Sequence, residues 1–258
     1  MSSLDDSLKK ITILEVLIVI LALYGVLILL RIFYFPLSED WMYLGLIIYF
    51  VYRLRFFREE FKKDLSNIFL KMTPKSVVTI VLVNVFFSYG MLYLSNFALD
   101  YIPGLSAVVA SSVFPLVAIN SLVPIGGLIS SIFISPISEE LLFRGVFLNR
   151  LKLIVPTSFA IAITSILFGA LHSYGNIISA IVFGVCMCII YLKTRNVLTC
   201  IFAHFLNNLL AEILYYADYG NLIFTNDIFI VVFSVLAIVS LYLIATSVRK
   251  EWRYINKR

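Results

Sequence analysis

The segment Ser135-Pro136-Ile137-Ser138-Glu139-Glu140-Leu141-Leu142-Phe143-Arg144-Gly145 sets two carboxylates and a guanidinium inside an apolar run. A charge at the centre of a bilayer costs at least about 2.5–3.5 kcal/mol on insertion scales, so such groups face a polar interior and mark function. Helical spacing puts Glu140 and Arg144 one turn apart on one face, with Glu139 about 100° round from Glu140. Two later patches have the same character: Phe168-Gly169-Ala170-Leu171-His172 and His204-Phe205-Leu206-Asn207-Asn208. The chain has only two histidines, and both fall in apolar segments.

The composition decides the class. Of 258 residues, 62% are hydrophobic and 14% charged, with a mean hydropathy of +1.02. A soluble domain is about 45–50% apolar and about 25% charged. The chain therefore reads as one integral membrane domain over 1–258, an all-α polytopic helix bundle with lipid around it. Its net charge of +5 sits at the ends of apolar runs, which argues against a nucleic-acid partner. Cys186, Cys188 and Cys200 are an odd count without zinc-type spacing, and read as small core residues. The first apolar run, Ile11 to Phe35, is too long for a signal peptide and has no small-residue cleavage site, so it reads as a span. The ending Asn256-Lys257-Arg258 has no lipidation cysteine, so the chain is not expected to be prenylated itself.

A span needs about 20 apolar residues. Eight are expected, at 11–34, 41–57, 76–99, 121–148, 157–173, 176–193, 197–216 and 227–247. Asp100 to Asn120, broken by Pro103-Gly104 and Pro115, reads as interfacial or re-entrant. If it does not cross and the N-terminus is cytoplasmic, 18 of the 20 basic residues fall at cytoplasmic ends. Were it to cross, every basic cluster after 148 would move outside, against the positive-inside rule. The expectation is eight transmembrane helices with N- and C-termini cytoplasmic, in the cell membrane. Residues 53–75 read as a basic cytoplasmic loop with a surface helix against anionic lipid.

Depth tests whether the three patches can meet. At about 1.5 Å per residue, Glu140 lies about 18 Å from the cytoplasmic helix end and His172 about 22 Å. His204 and Asn208 lie about 10 and 16 Å in, so tilt lets all share one layer. Phe168 and His172 share a face, as do His204 and Asn208. Each group has a plain structural role open to it: a buried ion pair for Glu140 and Arg144, interhelical hydrogen bonds for the histidines and Asn207 and Asn208. Their coincidence at one depth argues for a joint site. Glu212, a further turn along, reads as interfacial or supporting.

Such a set can hydrolyse an amide in two ways. A desolvated carboxylate can take a proton from water, with a histidine sharing that water and a second histidine and an amide facing the oxyanion. Arg144 would hold Glu140 ionised, leaving Glu139 as base. Alternatively Glu139, His172 and His204 are three ligands for one zinc ion with water in the fourth position, though no H-E-x-x-H pair is present. No Gly-x-Ser-x-Gly elbow occurs.

Glu139-Glu140-x-x-x-Arg144, Phe168-x-x-x-His172 and His204-x-x-x-Asn208, in this order on successive apolar helices, resemble the three motifs of the CAAX protease and bacteriocin-processing (CPBP, Abi-type) family of intramembrane endopeptidases. The resemblance covers about residues 120–215, the expected catalytic core. It implies an eight-helix fold, a membrane-enclosed cavity and cleavage of a membrane-associated or prenylated peptide or protein. By position it makes Glu139 the water-activating base, Glu140 its supporting acid and Arg144 their partner. His172 becomes the water or metal partner, and His204 with Asn208 the oxyanion or metal-side pair. A second expectation from another class is a non-catalytic membrane immunity or regulatory protein that binds a peptide. A proton-coupled transporter ranks behind both, because no two related halves with discontinuous helices are visible.

Overall fold

A computed structural model describes residues 4–35, 38, 40–55, 58–110, 125–217 and 227–255. Among these residues every regular element is helical. In chain order they are α1 (Leu4–Leu8), α2 (Ile13–Ile32), α3 (Asp40–Leu54), α4 (Arg58–Ser66), α5 (Pro74–Tyr101) and α6 (Leu105–Ala110). They continue with α7 (Ile125–Leu151), α8 (Thr157–Ala170), α9 (Ile177–Thr194), α10 (Val197–Ala217) and α11 (Asp227–Ile255).

Six helices, α2, α5, α7, α9, α10 and α11, are long and apolar enough to cross a membrane, and the chain is a multi-pass membrane protein. All eight expected spans appear as helices near their expected places, but two are short. α3 has 15 residues and α8 has 14. At 1.5 Å per residue these are about 22 and 21 Å long, against about 30 Å of hydrocarbon. α5 runs on to Tyr101, a turn at Gly104 (φ +79°) follows, and α6 starts at Leu105. The remainder of the expected interfacial segment, 111–120, lies outside the described residues. α11 continues beyond 247 to Ile255, carrying Arg249, Lys250 and Arg253 as one more helical stretch.

α9 is the centre of the bundle: 67% of its apolar window is buried, against 11% for the peripheral α2. Its sequence explains this. Ser179, Ala180, Gly184, Cys186 and Cys188 are small, and small residues let helix backbones approach where no hydrophobic effect drives them together. The three cysteines are free and buried, as expected. α8 docks on α9 through Gly169, where a Cβ would lie 2.3 Å from Ile181 Cγ1 and 2.9 Å from the Ile177 carbonyl.

The basic end of the bundle is tied by polar bonds between distant parts of the chain. Buried Asp5 on α1 accepts from Asn149 Nδ2 (3.2 Å) and pairs with Lys9 (2.6 Å). Arg150 Nε donates to the Ile11 carbonyl at 2.7 Å, and Asp64 on α4 accepts from the Leu4 N–H at 3.0 Å. Asn196 Nδ2 holds the Asp64 carbonyl at 2.7 Å. The 53–75 loop thus folds back onto the N-terminal segment and the α9–α10 turn.

Candidate active site

The site is built on α7, which is wide-turned in two places. Ser130–Ile134 and Leu141–Leu148 are π-helical, with an α-helical turn, Ser135–Glu140, between them. Such wide turns are rare and are frequently found at functional sites. Pro136 gives the first its physical reason. In the i→i−5 pattern the Ser135 N–H reaches the Ser130 carbonyl. Pro136 has no N–H to continue it, which leaves the Ser131 carbonyl without an intrahelical donor. Asn208 Nδ2 on α10 supplies one at 2.8 Å. The Ser131 hydroxyl in turn donates to Glu212 at 2.9 Å.

Glu140 and Arg144 are both fully buried and pair at 2.8 Å across one turn. Arg144 sends a second N–H to the Gly184 carbonyl of α9 at 3.1 Å. Its guanidinium carbon lies 4.8 Å from the centre of the Phe168 ring. A Cβ on Gly184 would stand 3.1 Å from Ser165 Cα, so the glycine lets α8 and α9 close around the guanidinium.

His204 Nδ1 lies 2.8 Å from the same Glu140 oxygen. An ionised carboxylate only accepts, so Nδ1 is the donor in this contact, which leaves Nε2 to face Glu139. Nε2 lies 3.9 Å from Glu139 Oε2. The other Glu139 oxygen accepts from the Ser135 hydroxyl at 2.6 Å, whereas Oε2 is buried with no partner. The ring of His204 is held edge-on by Phe183 and Phe168, with centroids 4.9 and 5.9 Å away.

A cavity of about 310 Å³ opens beside these groups, lined from α5, α8, α9 and α10. Val85, Leu92, Ala180 and Phe183 give it apolar walls, and His172, His204, Asn207, Asn208 and Glu212 its polar ones. His204 both lines the cavity and touches the carboxylates.

Glu139, Glu140, Arg144 and His204 therefore stand together by direct contact. His172 does so less directly. α8 ends at Ala170, three residues before the expected end of that span, and His172 follows in the turn before a 3-10 turn at Tyr174–Asn176. Its Nδ1 lies 2.9 Å from the Phe168 carbonyl, so the ring caps the helix it was expected to extend. Phe168 still joins it to the site, 4.7 Å from the His172 ring and 5.9 Å from that of His204. Ser135, Ser131 and the Gly184 carbonyl were missed by motif reading. Ser135 had a signal, standing one turn before Glu139; the Gly184 carbonyl, a backbone group, had none.

Among the described residues no group of three or more His, Cys, Asp and Glu side chains is placed to hold a metal ion. Glu139 Oε2 and His204 Nε2 face each other at 3.9 Å, and the His172 ring lies 4.7 Å from that of Phe168.

With this geometry in view, comparison with known proteins gives one match. Residues 120–210 match the family model described as Rce1-like, type II CAAX prenyl endopeptidase Rce1-like. This stretch is similar to that family. It overlaps the region in which the three motifs resemble the CAAX-protease family and contains Glu139, Glu140, Arg144, His172, His204 and Asn208, whereas Glu212 lies just beyond it. No curated protein and no solved structure matches the chain.

Proposed function

We propose that the chain is an intramembrane endopeptidase of CAAX-processing type, in which Glu139 activates water against a peptide bond of a membrane-associated or prenylated substrate. In this reading α3 and α8 complete an eight-helix bundle in the cell membrane, with both termini and the basic end on the cytoplasmic side. The observation that carries the reading is the opposition of Glu139 Oε2, an acceptor without a partner, and His204 Nε2, 3.9 Å apart, with Nε2 taken as the unprotonated ring nitrogen. Two acceptors at this separation are suited to one water that donates to both.

Glu139 takes a proton from that water as its oxygen bonds to the carbonyl carbon. The proton then passes to the leaving amine as the C–N bond breaks. Arg144 keeps Glu140 ionised, and Glu140 holds His204 in the tautomer that faces the water. One amide hydrogen of Asn208 is engaged by Ser131, and the other is available to the developing oxyanion. His172, with Nδ1 donating to Phe168, has Nε2 left to accept from water or from a substrate N–H. No step is routed through zinc.

Purified, reconstituted protein should be assayed on a peptide library that includes prenylated CAAX peptides. Wild type, Glu139→Gln and His172→Ala are run with and without a chelator. Loss of cleavage by a factor of about 10²–10⁴ in Glu139→Gln, insensitive to chelator, is the expected result. Chelator-sensitive cleavage would replace water activation by zinc chemistry. Peptide binding without cleavage, unchanged in Glu139→Gln, would establish a non-catalytic immunity or regulatory binder instead.

A further inference from the structure

The cavity beside His204 is one-sided in charge. Asn207 Oδ1 is buried with no hydrogen-bond partner, and Asn207 lines the cavity. Glu212 contributes a carboxylate to the same space. None of the described lining residues is lysine or arginine. Arg144 cannot serve, because it is fully buried and bonded to Glu140 and Gly184. A site that carries a carboxylate and no described cation disfavours a free carboxylate and favours a donor-rich cation.

Glu212 is placed for that task. It follows Asn208 by one turn on α10, and its Oε1 is fixed by the Ser131 hydroxyl at 2.9 Å. Tyr215, three residues on, lines the same end of the cavity and sets an aromatic ring there, the surface on which a cation also rests. Along the helix axis Glu212 is about 12 Å from His204. That separation is spanned by about three to four residues of extended peptide.

We propose that Glu212 is a specificity-determining residue that selects a substrate with a lysine or arginine three or four residues from the cleaved bond. This rests on the protease reading above and deepens it: the preferred substrate carries a cation in the membrane-enclosed cavity, and its terminal carboxylate is not what the described cavity recognises. Ser131 is a positioning residue for Glu212, acting through its hydroxyl.

The test uses one cleavable peptide in which lysine, norleucine or glutamate is scanned over the four residues on each side of the bond. kcat/KM is measured for wild type, Glu212→Gln and Glu212→Lys. Binding of the same peptides is measured on Glu139→Gln and on Glu139→Gln combined with each Glu212 variant. Wild type should prefer lysine over glutamate at one such position by roughly tenfold or more, the size of one charge pair. Glu212→Gln should flatten the preference and Glu212→Lys invert it, in both cleavage and binding. If the lysine-to-glutamate ratio is the same in all three proteins, the proposal is overturned. If Glu212→Lys does not fold, judged by its melting profile, the isosteric Glu212→Gln decides alone. If no peptide is cleaved but the binding preference still follows residue 212, the protease reading falls and the cation site stands.

Discussion

Glu139 and Glu140 are neighbours in sequence, yet they belong to two different regions of the molecule. Glu140 sits in a closed knot: Arg144 and His204 both bond its Oε1 at 2.8 Å, and Arg144 is anchored in turn to Gly184. Glu139, on the adjoining face, is held by Ser135 through one oxygen and keeps the other without a partner. Glu140 Oε2 and Arg144 Nε also lack a partner, so the difference lies elsewhere: the first region resembles the buried ion pairs that proteins use to fix geometry, whereas the free oxygen of Glu139 faces His204 Nε2 at 3.9 Å. One helical step of about 100° separates scaffold from reagent.

The comparison breaks if the knot is dispensable. Arg144→Ala strands the Glu140 carboxylate in the core and should destabilise the fold by about 3–5 kcal/mol, read in detergent by thermal or denaturant unfolding. The paired change Glu140→Leu with Arg144→Leu should recover most of that loss while leaving activity absent, since His204 loses its acceptor. Asn208→Leu removes the donor that satisfies the Ser131 carbonyl, at a cost of about 1–3 kcal/mol in the same unfolding assay. Glu139→Gln sharpens the contrast from the other side: melting should move by less than about 1 kcal/mol, since Ser135 can still donate to the amide oxygen, whereas cleavage collapses. A large loss of stability there would make Glu139 scaffold too.

The smallest effect is expected at the basic end of the bundle. The Lys152 ammonium is pushed down from 10.5 to about 8, first by burial and then by Arg195. Between those values the unfolded chain binds more protons than the folded one, so stability should rise with pH across that window. Lys152→Met should remove the slope, as melts taken through that pH range would show.

The motifs were legible because helical spacing alone puts Glu140 beside Arg144 and stacks His204 with Asn208. Membrane class and the place of the six long apolar helices followed from apolar run length. The two wide turns of α7 were not legible, since local spacing assumes 3.6 residues per turn and only Pro136 hints otherwise. The end of α8 was misjudged for a related reason: Leu171 is apolar and continues the run, while His172 turns back to cap it. The bonds that close the basic end, such as Asn149 to Asp5, join residues 144 apart, and neither residue carries a motif. The metal question was left open by residue types, because Glu139, His172 and His204 are all ligand-forming side chains.

The wide turns of α7 also bear on how such a helix can change in length. A π-helical turn accommodates a residue beyond those the surrounding α-helix needs. Ser130–Ile134 therefore behaves as a resident insertion. Loss of one residue there would turn the preceding stretch of α7 by about 100° relative to Glu139 and its partners. The catalytic half of the helix could keep its register while the half that receives Asn208 and fixes Glu212 is re-aimed. Under the proposed function, the boundary at Pro136 would make substrate choice separable from chemistry under insertion and deletion.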